Sequence, residues 1–439
     1  MPSKFTRRHF LGGVAGGGAL TLSGYQFLPA KFLPNVVLEE RTKRQQIPEV
    51  ETTLSVAPDA ISQSRKQLRD VIDRGEAAWK QVEDADVESD QEEFDRNLQS
   101  TLDTAREKLS ETEGNDATTE TLKNLRYGVN RGAWSLAAAK AISEEYDLDA
   151  IRSRSEKLYS NLNEFAESMS HAVADPRRGL AYLYRSQRAL TFARMKTDFL
   201  GDPTDEERAN SELDHGTVVS AIRAEIEGRR WLGDAKAMYD AHRSNVADAE
   251  SATDLESHLD QTWQEMAERI DGILPDRETA VERYFPESEG PHHHAVNELY
   301  NNGYMVAQDA YPPSDGIRQD LLAYVAVEHA KALQHALGFE STVKQLETAF
   351  ENDKVGMPLV ARTKTDAINR LGSLLDESND PITRELAARP REEIVIGDWS
   401  LGLDPQFESE HPHAEAYSTF LLAAQNIRHT PDVLDSLLP

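Results

Sequence analysis

Cysteine is absent from the chain. That excludes disulfides, thiolate metal sites, a cysteine nucleophile and a lipid-attachment cysteine together. Lysine is scarce as well, at 15 of the 48 basic residues. Beyond the first thirty residues no apolar run approaches the roughly 20 residues that span a bilayer, so the remainder reads as soluble. Catalytic motifs are missing too. There is no phosphate-cradling glycine loop, no Gly-x-Ser-x-Gly elbow, no His-Glu-x-x-His and no strand-helix alternation of a dinucleotide fold. No residue is a candidate for catalysis on these grounds, and the reading leans away from an enzyme.

What the chain does have is carboxylate. Its 439 residues carry 77 acidic side chains against 48 basic ones, a net charge of −29. Such an excess repels itself in dilute buffer, whereas molar salt screens it to a range of about 3 Å. The composition reads as that of a halophile's protein, an archaeal one. Nucleic acid is excluded as a partner, because binding phosphate requires a positive surface.

The first residues are unlike the rest. Thr6-Arg7-Arg8-His9-Phe10-Leu11 precedes an apolar run to Leu28 whose first eight residues, Leu11 to Gly18, include five glycines. The arginine pair, Phe10, Leu11 and the weakly apolar run resemble a twin-arginine export signal. The resemblance covers residues 1–30 and implies recognition by the twin-arginine translocase and export of an already folded protein. The chain is then cut near Ala30, or keeps an anchor of roughly 18–19 apolar residues in the membrane. Either way it works at the cell surface or outside. Residues 31–57, with Pro34, Pro48 and the basic Arg41, Lys43 and Arg44, read as a linker.

From Pro58 onward apolar residues recur at three, four and seven, which places each set on one face of a helix. Ile61, Leu68, Ile72, Trp79 and Val82 form one such stripe; Phe94, Leu98, Leu102, Ala105 and Leu109 form the next. Ile151 to Met169 and Leu255 to Ile273 repeat the grammar, and further helices are expected at about 118–146, 177–194, 213–242, 292–309, 316–337, 341–352, 364–376 and 412–428. Only Glu393-Ile394-Val395-Ile396 looks like a strand or an extended loop. The tryptophans in the stripes (Trp79, Trp134, Trp231, Trp263) read as core, and the arginines of 177–194 as internal partners of nearby carboxylates.

The fold class is therefore all-α, an elongated multi-helix bundle or helical array. Ala139-Lys140-Ala141-Ile142 returns as Ala235-Lys236-Ala237-Met238 and as Ala330-Lys331-Ala332-Leu333, with a looser echo at Ala424-Gln425-Asn426-Ile427. Alanine lets helices approach closely. The recurrence suggests four three-helix units at roughly 58–147, 148–243, 250–338 and 339–430, each closed by one of these alanine helices. They group into an N-terminal half, 58–243, and a histidine-enriched C-terminal half, 250–430.

Eight of the thirteen histidines lie between His292 and His429. His294 and Glu298 stand four apart at the start of a helix, and His411 and Glu415 repeat that spacing. His413, His329 and the flanking Glu410 lie in the same half. Imidazole and carboxylate together suit zinc, copper or non-haem iron. The candidate metal ligands are His294, Glu298, His329, His411, His413 and Glu415. Three functions follow in order: a non-catalytic scaffold or interaction module of the cell envelope, a metal- or solute-binding protein using these residues, and a helical hydrolase or oxidase.

Overall fold

Leu68, Val71 and Ile72 are buried on one face of the first long helix, and Gly132 opposes them. A Cβ on Gly132 would lie 2.8 Å from the Val71 side chain, so the glycine is what lets the two helices close up. The computed structural model describes residues 35–84, 92–143, 146–198, 215–247, 251–284, 290–310, 320–352, 355–403 and 410–439. The export-signal residues Arg7, Arg8, Phe10 and Leu11 lie outside the described residues.

After a short helix α1 (Asn35–Lys43), the body follows as four groups of helices, of which the first, second and fourth are triplets. The first is α2 (Pro58–Asp84), α3 (Glu92–Glu111) and α4 (Thr119–Ile142); the second is α5 (Leu148–Glu167), α6 (Pro176–Asp198) and α7 (His215–Ala247). The third holds α8 (Glu256–Ile273), a short α9 (Arg277–Tyr284), and α10 (Pro291–Leu299), which runs through a π segment, Tyr300–Met305, into α11 (Val306–Ala310). It closes with α12 (Leu322–Glu351). The fourth is α13 (Met357–Glu377), α14 (Pro381–Asp398) and α15 (Pro412–Leu437). The all-helical class is as the stripes predict. Strand is confined, among the described residues, to Ala172–Val173 paired antiparallel with Thr253–Asp254.

Ala139, Ala235, Ala330 and Ala424 each lie on the closing helix of a group, and each is at most 1% exposed. The closing helices pack in pairs, α4 with α7 and α12 with α15. Each pair runs antiparallel. Arg126 meets Asp234 while Arg223 stacks over Trp134; Gln334 meets Thr430 while Gly338 abuts Asn426.

The structure departs from the sequence reading in three places. Residues 35–57, expected as a linker, lie along both halves. Leu38 and Thr42 are buried, and the fully buried Lys364 donates 2.8 Å to the Thr42 carbonyl while pairing with Asp398. Further on, Arg391 and Arg384 hold the Pro48 and Glu51 carbonyls, and Leu54 and Val56 bond the backbone around Thr119. A proline-rich segment lacks helical periodicity and so looks unattached, but its carbonyls still accept hydrogen bonds.

The second departure is Glu393–Ile396, which is helix inside α14. Its buried positions, Leu386, Pro390, Glu393, Ile394 and Gly397, have helical spacing once proline and glycine are counted as interior. The Phe420 ring packs on Gly397 and outweighs the strand preference of the β-branched run. Third, α12 continues where a break near residue 338 is expected, so the third group ends at Glu351 and holds five helices where three are expected. Asn426 Oδ1 would sit 1.8 Å from a Cβ at Gly338; that glycine admits a neighbour and does not stop the helix.

Helix α6 joins the halves. Arg177 donates 2.8 Å to Asp380, Arg185 binds Glu385, and Arg194 reaches Asp320 at 2.7 Å. Between them Tyr184 donates 2.6 Å to Glu328 and accepts from Lys331. Burial pushes the Tyr184 phenol up. Burial also opposes charge on Lys331, but Tyr184 and the carboxylates of Glu328 and Glu385 outweigh it and hold the amine above its usual range. Of the arginines of 177–194, Arg177, Arg185 and Arg194 pair internally, and their partners lie in the opposite half, whereas Arg178 and Arg188 stand over the Tyr182 and Phe192 rings.

Candidate metal centre

Pro291 occupies the first turn of α10, where its missing N–H costs nothing, and the turn presents His292, His293 and His294 in succession. His411 is the N-cap residue of α15, with Pro412 behind it. The two helices are neighbours, and their first turns meet. The His294 and His411 rings stand edge to face with centroids 4.7 Å apart. One ligand atom each from His294, His411 and Glu410 lie within 4.8 Å of one another. His294 and His411 are half-buried and Glu410 is exposed, so the group opens to solvent.

Two more carboxylates stand behind it. His294 Nδ1 lies 3.2 Å from Glu415 Oε1, one turn into α15. With Nδ1–H donating to that carboxylate, Nε2 keeps a free lone pair for a cation. Glu298, one turn along α10 from His294, accepts 2.8 Å from Asn302. Burial and then the neighbouring Glu415 charge raise the Glu298 carboxyl above its ordinary range, against the pull of His294. Two helix N-termini, each worth about half a positive charge, point into this region and disfavour a cation. Three carboxylates more than offset them.

Of the six ligands expected from sequence, the three-ligand group holds His294 and His411; Glu415 stands behind it on His294 Nδ1, and Glu298 one turn along α10. His413 is half-buried one residue into α15 and does not belong to the three-ligand group. His329 lies elsewhere. It is buried in α12, with Nδ1 2.8 Å from the Val325 carbonyl and its ring against Trp263. Burial lowers its basicity. Glu410 was legible only as a flank of His411, because the turn that aims it at His294 is tertiary.

Residues 59–248 match a family model described as a domain of unknown function (DUF8262). Residues 249–438 match a second, described as a domain of unknown function (DUF8264). The first extent takes in α2 to α7 and the second α8 to α15, so the boundary falls between the second and third groups of helices. No curated protein and no solved structure matches the chain.

Proposed function

We propose that this is an exported helical protein that binds a divalent transition-metal ion where α10 meets α15. The observation that carries the reading is the convergence of His294, Glu410 and His411 within 4.8 Å, from stretches more than a hundred residues apart. Two imidazoles and a carboxylate suit zinc, copper or ferrous iron, and three protein ligands leave room for water or an incoming donor. Glu415 orients His294 from behind. The open face suits capture and release of an ion better than a sealed structural site. Export is supported by the arginine pair, and it places the site where metal is met outside the cytoplasm.

Metal analysis of the natively purified full chain, followed by calorimetric titration with zinc, tests the proposal. About one ion per chain is expected, with His294→Ala and His411→Ala abolishing the tight phase. Glu415→Gln should weaken binding by roughly 10–100-fold, the usual effect of losing an orienting partner. His329→Ala should leave the affinity unchanged. A wild-type chain that carries no metal and takes up none would sink the reading. It would return the protein to the scaffold interpretation, which the ion-paired seam between the halves supports.

A further inference from the structure

A cavity lies in the other half of the molecule. It sits between the first and second triplets and holds about 320 Å³, at the lower end of small-molecule sites, which start near ~300 Å³. Its apolar wall is Ile151 of α5 and Ile222 of α7, each about 95% buried, with the Tyr146 ring beside them. Its polar wall holds three cations, Arg74 of α2, Lys140 of α4 and Arg154 of α5.

The charges do not cancel. Glu225 lines the cavity but is already shared by Arg154, at 3.4 Å, and Arg229, at 2.7 Å. Asp147 also lines it, accepting 3.0 Å from the Ala150 amide as the N-cap of α5, so the lining sets three cations against two carboxylates. Arg74 and Lys140 have no carboxylate within ion-pair distance among the described residues. In a chain of net charge −29 this concave surface is left positive. Such a pocket concentrates anions, and its apolar wall adds preference for an anion with a hydrophobic body.

We infer that the cavity between the triplets binds a small organic anion, with Arg74 and Lys140 holding the charged group and Ile151, Ile222 and Tyr146 the apolar part. Lys140 belongs to the first of the recurring Ala-Lys-Ala segments. Its counterpart Lys331 is spent in the seam with Tyr184 and Glu328, whereas Lys140 remains available to a ligand.

The test uses the full chain, with benzoate as probe and benzamide, its neutral analogue, as control. Saturation-transfer NMR and calorimetry should detect benzoate and not benzamide. Arg74→Gln with Lys140→Gln should weaken benzoate at least tenfold while leaving the melting temperature and zinc titration as in wild type. Ile222→Trp fills the apolar end and should also abolish binding. Should that variant fail to fold, the charge pair decides alone. Inorganic phosphate should compete more weakly than benzoate. The inference is overturned if benzoate does not bind, if benzamide binds equally, if phosphate binds more tightly, or if the double variant is unchanged. None of these outcomes touches the α10–α15 site, so the two readings stand or fall separately.

Discussion

His171 shows how much one side chain can be decided by its neighbours. The Gln187 carbonyl oxygen accepts from the Tyr324 amide at 2.9 Å, so its NH2 must face His171 and donate to Nε2. The imidazole is therefore neutral, and burial keeps its basicity low. His242 is likewise depressed, by burial first, although the Ala172 carbonyl at 2.9 Å from Nε2 opposes the shift. The sign of the pH effect follows. Unfolded histidine takes up its proton near pH ~6.5, the folded residues only below that, so the unfolded chain binds more protons in the interval. Stability is full above about pH 6.5 and is lost as pH falls toward the folded values. At constant salt the melting temperature should fall between about pH 7 and 5, and His242→Gln, which keeps a donor for Ala172, should make the fall shallower. Identical slopes would show that His242 does not contribute.

At the scale of elements, the four alanines of the closing helices make a sharper claim. Ala139, Ala235, Ala330 and Ala424 are buried where helices pair, and overfilling such a contact costs roughly 1–3 kcal/mol. Leucine at each position should lower the unfolding free energy, measured by denaturant titration, by that amount. Ala77 is exposed on α2, and leucine there should change stability by no more than about ±0.5 kcal/mol. Equal effects at Ala77 and Ala235 would contradict the packing. These helices were legible in sequence because a 3.6-residue stripe marks a buried face whatever covers it. The strap at residues 35–57 and the interior of α14 were not. The first is held by backbone carbonyls, which leave no pattern in side chains. The second buries a proline, a glutamate and a glycine that no apolar stripe counts.

Across the whole molecule the dominant quantity is charge. With 29 excess negative charges, moving from molar to ~0.1 M potassium chloride lengthens the screening distance from about 3 to about 10 Å and lets distant carboxylates repel. Helical circular dichroism should fall with the salt, and equal stability in dilute buffer would remove the halophilic reading. The seam tempers the effect: Arg177, Arg185 and Arg194 bring cationic charge to carboxylates of the other half, and partly buried pairs are screened less.

The sequence by itself determined the helical class, the acidic surface and the placing of histidine and carboxylate four apart at two helix starts. Those properties are local, since period, composition and i, i+4 spacing are set by residues near one another in the chain. Only the tertiary structure decided that His294 meets His411 and Glu410 while His329 packs against Trp263 instead. It alone decided that the arginines of α6 find their carboxylates in the opposite half, and that Lys140 faces a cavity while Lys331 is consumed in the seam. A stripe says which face of a helix is apolar. Which other face it meets, and in what register, depends on how the side chains of both fit together.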